Sequence, residues 1–168
     1  ISINGKKIRG RGKDGYINID RTWSSNDVVE LVLPMEVRRV RANDRVKADA
    51  GKLAIERGPV VYCLEGCDQP DGEVFNKFIP ADAVFEAVYD KDLLNGVVKL
   101  EGPAAQVDTE GRVTESTCTA IPYSTWCNRG AGRMAVWIPT GADGAHPRPV
   151  PTIASKAYAI KLTGEPNG

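Results

Sequence analysis

Lys52-Leu53-Ala54-Ile55-Glu56-Arg57 and, beyond Gly58, Pro59-Val60-Val61-Tyr62-Cys63-Leu64-Glu65 decide the fold. The first stretch is a strand candidate that follows the turn residues Asp49-Ala50-Gly51. The second holds the continuous apolar run Val60–Leu64, which predicts a strand covered on both faces, or one deep in a sandwich. Upstream, Val29, Leu31, Leu33, Met35 and Val37 fall on alternate positions, with Glu30, Glu36 and Arg38 on the other face and Val32 the exception. That period of two predicts a half-buried strand, and Pro34 inside it predicts an edge, a bulge or a break. At the start of the chain, Asn4-Gly5 separates two β-prone segments and predicts a hairpin, because both residues tolerate positive φ. Tyr16 to Asp20 is a further strand candidate.

Downstream, strands are predicted at Ala83 to Tyr89, Val97 to Leu100, Thr117 to Pro122, Met134 to Ile138 and Ala157 to Leu162. No window of ten residues carries a helical apolar period; one helical turn is expected near Asp90 to Leu94. Many short strands with Gly, Pro, Asn and Asp turns read as an all-β chain, a sandwich or a barrel. The sandwich is expected over residues 1–139. A linker or strap rich in proline follows over 140–156, and 157–168 forms a terminal strand or the start of a further module.

The chain has 168 residues, with Lys plus Arg 22 balanced by Asp plus Glu 22. Zero net charge argues against a duplex nucleic-acid partner, which needs a basic excess, and against a polybasic membrane anchor. No apolar stretch approaches the roughly 18 residues of a membrane span. The chain opens on Ile1, inside a strand, and reads as a piece of a longer protein.

Little conventional chemistry is legible. The four cysteines are Cys63, Cys67, Cys118 and Cys127; Cys63 and Cys67 stand four apart, but no second close pair follows to complete a structural zinc site. In an oxidising compartment they allow three disulfide pairings; otherwise Cys63, inside an apolar strand, reads as a buried thiol. His146 is the sole imidazole, no Gly-x-Ser-x-Gly is present, and neither phosphate-binding glycine motif occurs. Two carboxylates suffice for glycoside hydrolysis, and Glu56 and Glu65 bracket the Val60–Leu64 strand. The plainer reading makes them strand-end charges in water. Trp137 sits in an apolar stretch and is expected in the core. Trp126 lies beside Tyr123, Asn128 and Arg129, a set able to stack on a sugar ring and bond its hydroxyls; Trp23 is a second aromatic candidate. The plainer role for Trp126 is a plug between loop and sheet.

Three blocks carry a family resemblance. The first runs from Gly15-Tyr16 through Asp20-Arg21-Thr22-Trp23 and Asp27-Val28-Val29-Glu30-Leu31 to Leu33-Pro34-Met35 and Val37-Arg38. The second is Ile55-Glu56-Arg57-Gly58-Pro59-Val60-Val61-Tyr62-Cys63-Leu64-Glu65. The third joins Ala120-Ile121-Pro122-Tyr123, Trp126, Asn128-Arg129-Gly130 and Met134-Ala135-Val136-Trp137-Ile138-Pro139. Together they resemble the C-terminal β-sandwich region of the β-L-arabinofuranosidase-like glycoside hydrolases, family 127 and its relatives.

The resemblance implies that chemistry belongs to an N-terminal α/α barrel, with a cysteine nucleophile, a glutamate, and a zinc ion held by further cysteines and a carboxylate. None of those residues maps onto this sequence, and Cys127 stands where a small residue is expected. It also implies that the first strands of the sandwich lie before Ile1. The expectation from the resemblance is therefore an all-β, mostly antiparallel β-sandwich of jelly-roll type, a non-catalytic accessory domain without a cofactor, secreted or periplasmic, with the barrel as partner. A homodimer through an exposed sheet edge and a bound glycan are further expectations. The alternatives are a carbohydrate-binding module and a small stand-alone glycosidase built on Glu56 and Glu65.

Overall fold

The computed structural model describes residues 1–9, 12 and 14–147. Twelve short strands make up its regular structure. Three of them form a sheet of their own: β1 (Ser2–Ile3), β2 (Lys6–Lys7) and β3 (Val29–Glu30), in the order β2-β1-β3. Asn4 (φ 49°) and Gly5 (φ 75°) make the predicted β1–β2 turn. Asn4 also ties this sheet together, accepting the Val28 N–H at its Oδ1 and donating to Asp27 at 2.7 Å.

The other nine strands form one sheet in which every pairing is antiparallel. They are β4 (Val37–Val40), β5 (Lys52–Arg57), β6 (Val60–Glu65), β7 (Lys77–Phe78), β8 (Glu86–Asp90), β9 (Val97–Val107), β10 (Val113–Pro122), β11 (Met134–Ala135) and β12 (Ile138–Pro139). The main path runs β12-β5-β6-β10-β9-β7, with β4 added to β5, β11 to β6 and β8 to β9. The sheet curls until its ends meet: the Ile79 N–H, one residue past β7, donates to the Pro139 carbonyl in β12 at 2.9 Å. The result is an all-β, mostly antiparallel β-sandwich around one core.

That core gathers Leu53 and Ile55 from β5, Tyr62 and Leu64 from β6, Leu100 and Ala104 from β9, Cys118 and Ala120 from β10, and Ile138 from β12. Val74, Ile79, Ala83 and Phe85 enter it from connecting segments. Alternation puts Val61, Cys63 and Glu65 on the opposite face of β6. Cys63 is nonetheless fully buried, whereas Val61 is exposed, so the strand is covered on both sides only over its second half. β5 and β6 pair only from Ile55–Arg57 to Val60–Tyr62. Where they stop, β11 takes up Leu64 and Glu65, and β12 takes up Leu53 and Lys52.

Several local expectations are corrected. The alternating 29–38 stretch breaks at Pro34 into β3 and β4, in different sheets, and Leu31, Val32 and Leu33 are exposed. Tyr16 to Asp20 forms no strand and Ile17 is exposed. Near Asp90 the chain makes a side-chain-capped turn instead of a helical one, with the Asp90 carboxylate accepting the Asp92 and Leu93 N–H groups. β9 and β10 extend well beyond their predicted limits, into polar residues paired as a long hairpin. Met134 to Ile138 is two strands, and Trp137 between them is half-buried instead of core. The Ala157 to Leu162 strand lies outside the described residues. Of the 140–156 segment, the described part turns at Ala142–Gly144 and hydrogen-bonds through the His146 N–H to the Phe75 carbonyl at 2.9 Å.

Candidate functional site

The C-terminal end of β6 and the loop following β10 build the most organised polar site. β6 ends on Glu65 and passes into the 3-10 turn Gly66–Asp68. β10 ends on Pro122 and passes into the 3-10 turn Tyr123–Thr125. Cys127 (φ 63°) and Gly130 (φ 114°) then reverse the chain, aiming the Arg129 guanidinium back at β6. It bonds Glu65 Oε2 at 2.7 Å and both oxygens of Asp68 at 2.6 Å. The remaining Glu65 oxygen accepts the Cys127 N–H at 2.9 Å. The hydrogen bonds that the guanidinium donates to Asp68, followed by the one to Glu65, raise the Arg129 pKa further above its ordinary value. A fixed guanidinium fork of this kind suits paired carboxylates better than a lysine would.

Glu65 is thus neither a solvated strand-end charge nor a free carboxylate. Its side chain is 2% exposed and that of Asp68 8%. Glu65, Cys67 and Asp68 bring donor atoms within 4.8 Å of one another. All four carboxylate oxygens already accept N–H groups, however, and Arg129 occupies the cation's place, so the set does not fit a metal ion.

Around this knot the structure gathers the other loop candidates. Tyr123 and Trp126 stack, ring centroids 6.4 Å apart and planes at 27°. Asn128 spends its amide on the Thr125 carbonyl at 3.0 Å, holding the turn. Tyr123 is exposed and Trp126 half-buried. Beside them Val61, Tyr123, Met134, Val136 and Trp137 line an open depression of about 530 Å³. Trp137 also borders a smaller cavity of about 160 Å³ with Lys52 and His146. Its apolar neighbours in sequence gave no sign of this exposure.

Glu56 and Trp23 lie elsewhere. Glu56 pairs with Arg38 at 3.1 Å and stands directly across from Val61. Four residues of strand separate Val61 from Glu65, about 13 Å at the ordinary rise. Glu56 and Glu65 are therefore wider apart than the carboxylates of most glycosidases, at roughly 5–10 Å. Trp23 is exposed in the β1–β3 region beneath the Arg21 guanidinium, 5.1 Å from the ring centroid.

Sequence reasoning missed three further polar residues. Asp68 completes the Arg129 clamp. Gln69 bridges strands by donating to the Glu65 and Thr119 carbonyls at 3.0 and 2.8 Å. Lys77 is fully buried and held by Asp71 at 2.9 Å and Gln106 at 3.1 Å. Only in the folded chain do these residues meet their partners.

Comparison with known proteins divides the chain where its two sheets divide it. Residues 37–139 match the glycoside hydrolase family 127 C-terminal domain, and residues 1–35 match the β-L-arabinofuranosidase GH127 middle domain. A non-reducing end β-L-arabinofuranosidase of Bifidobacterium longum subsp. longum is 36% identical over 154 residues, covering 82% of this chain and 23% of its own length. The solved GH127 β-L-arabinofuranosidase of Geobacillus stearothermophilus T6 is 42% identical with a TM-score of 0.75, over 82% of this chain and 24% of that one. The GH127 β-arabinofuranosidase BT3674 is 35% identical with a TM-score of 0.79, over 86% and 23%. The chain thus spans about a quarter of the length of these relatives.

Proposed function

Because the chain belongs to glycoside hydrolase family 127, we propose that it is the non-catalytic accessory β-sandwich region of a glycan-degrading, β-L-arabinofuranosidase-like enzyme. It supports the catalytic α/α barrel of that enzyme and works without a cofactor of its own, in a secreted or periplasmic setting. The β-sandwich proper is the 37–139 unit, and residues 1–35 are the end of the preceding domain.

One observation carries this reading. Between residues 16 and 33, Tyr16, Ile17, Trp23, Val28, Val29, Leu31, Val32 and Leu33 are all exposed. So many exposed apolar side chains in one stretch, leading into and out of β3 of the three-stranded sheet, call for a covering partner. The remainder of the parent enzyme is the partner that the family supplies; a second copy pairing along a free edge of β2 or β3 is the alternative. The direct test is turnover of an aryl β-L-arabinofuranoside by the purified, folded chain, with and without zinc and reductant. No turnover is expected. Sustained turnover that survives purification to homogeneity and disappears in Glu56→Gln or Glu65→Gln would establish the stand-alone glycosidase instead.

A carbohydrate-binding role is supported by the stacked Tyr123–Trp126 pair beside the depression lined by Trp137. It predicts saturable quenching of tryptophan fluorescence by arabinose-containing oligosaccharides, lost in Tyr123→Ala. A flat titration rejects it.

A further inference from the structure

The four thiols, all free in this structure, fall into two classes. Cys63 and Cys118 are sealed from solvent, and they point to opposite faces of the sheet. Cys118 belongs to the core with Tyr62 and Leu64, whereas Cys63, between those two in β6, faces the other way. They cannot meet. Burial pushes both thiols up to about 12, so neither attacks an electrophile at neutral pH.

Cys67 and Cys127 are exposed. They are sixty positions apart, 67 to 127, yet their turns are fastened together. Glu65 and Asp68, which flank the Gly66-Cys67 dipeptide, are the residues that hold 127–129. Four hydrogen bonds do so: three from the Arg129 guanidinium, and one from the N–H of Cys127 itself. The Cys67 sulfur lies within 4.8 Å of carboxylate oxygens of both Glu65 and Asp68, and the Glu65 carboxylate is also the one that anchors the Cys127 backbone. Each of the two clamped turns thus carries one exposed cysteine. A disulfide between them requires a Cα separation of about 4.4–6.8 Å.

We propose that Cys67 and Cys127 are a disulfide-forming pair, oxidised by exchange with an external disulfide such as glutathione disulfide. One protein thiolate attacks the external disulfide, forming a mixed disulfide and releasing one glutathione thiol. The second protein thiolate then attacks the protein sulfur of that mixed disulfide and releases the other. Two protein thiols are oxidised, one glutathione disulfide is reduced to two glutathione thiols, and the two protons pass to the leaving thiolates. The bridge covalently repeats the link that Arg129 makes by hydrogen bonds. Burial and the neighbouring Asp68 carboxylate hold the Cys67 thiol above its ordinary value, so the reaction accelerates as the pH is raised.

The test uses the purified, reduced chain exposed to glutathione disulfide, followed by peptide mapping without reductant. The expected product has lost two hydrogen atoms and links the Cys67 peptide to the Cys127 peptide alone. Its thermal midpoint lies several degrees above that of the reduced chain, and Cys67→Ser or Cys127→Ser removes both the link and the rise. Stable glutathione adducts without a link, no reaction at either thiol, or a link to Cys63 or Cys118 would each overturn the assignment. Mapping the unmutated chain decides the matter even if a serine variant folds poorly.

Discussion

At the scale of single residues, the energetics turn on two buried charges. Arg129→Ala leaves the Glu65 carboxylate buried without its cation; a loss of about 3–5 kcal/mol is expected, read as a lower denaturant midpoint with an unchanged slope. Lys77 offers a contrast. Asp71→Ala strands a fully buried ammonium and is expected to cost a similar amount, whereas Lys77→Met keeps the volume and removes the charge, and is expected to cost far less. Urea titrations of the two variants side by side test that ordering. The buried thiols add a pH signature. In the folded chain Cys63 and Cys118 stay protonated to about pH 12, while unfolded thiols ionise near pH 8.5. The unfolded state therefore binds fewer protons between those limits, and stability falls as pH rises through them. Cys63→Ala is expected to flatten that alkaline decline in a stability–pH series. None of these partnerships was legible in the sequence. Glu65 and Arg129 stand 64 positions apart, and a lone Glu at a strand end carries no sign of what will cover it. The aromatic cluster was partly legible, because Tyr123, Trp126, Asn128 and Arg129 lie in one loop.

At the scale of elements, local pattern was informative wherever a strand draws its neighbours from nearby sequence. The Asn4-Gly5 hairpin and the β5 and β6 strands were readable for that reason. The 29–38 alternation misled because its first apolar residues, Val29, Leu31 and Leu33, are exposed, and only Val37, beyond Pro34, packs against the core. The β9–β10 hairpin was under-read because Thr114, Glu115, Ser116 and Thr117 are polar, and backbone pairing to Pro103–Gln106 holds them in place. A glycine inside that hairpin is tightly constrained. A Cβ at Gly102 would lie 2.6 Å from Phe85 Cδ1, and Phe85 belongs to the core. Gly102→Val is therefore expected to cost about 1–3 kcal/mol through overpacking, and Phe85→Leu in the same chain is expected to recover part of it. A double-mutant cycle of thermal midpoints measures that coupling.

At the scale of the whole molecule, the two sheets differ in self-sufficiency. The described core cluster begins at Leu53, with Val37 packed against it, and includes no residue before 37. A chain of residues 37–168 is accordingly expected to unfold in one cooperative transition, within a few degrees of the longer chain. A broad or absent transition would show that residues 1–36 carry part of the fold. The exposed strip over residues 28–33 is expected to drive concentration-dependent association of the isolated chain. Val32→Lys with Leu33→Lys is expected to suppress it without lowering the thermal midpoint, as light scattering and calorimetry would report.

The curling of the sheet also has a bearing on synthesis. The seam between β5 and β6 is filled by residues 134–139, and the carbonyl that closes the ring onto Ile79 belongs to Pro139. A ribosome adding roughly 5–20 residues per second needs about 1–3 s to pass from the end of β10 to Pro139. Until then Leu53 lacks its β12 neighbour and the Ile79 N–H lacks its acceptor. Closure comes last, so Ile138→Ala is expected to hasten unfolding far more than it slows refolding.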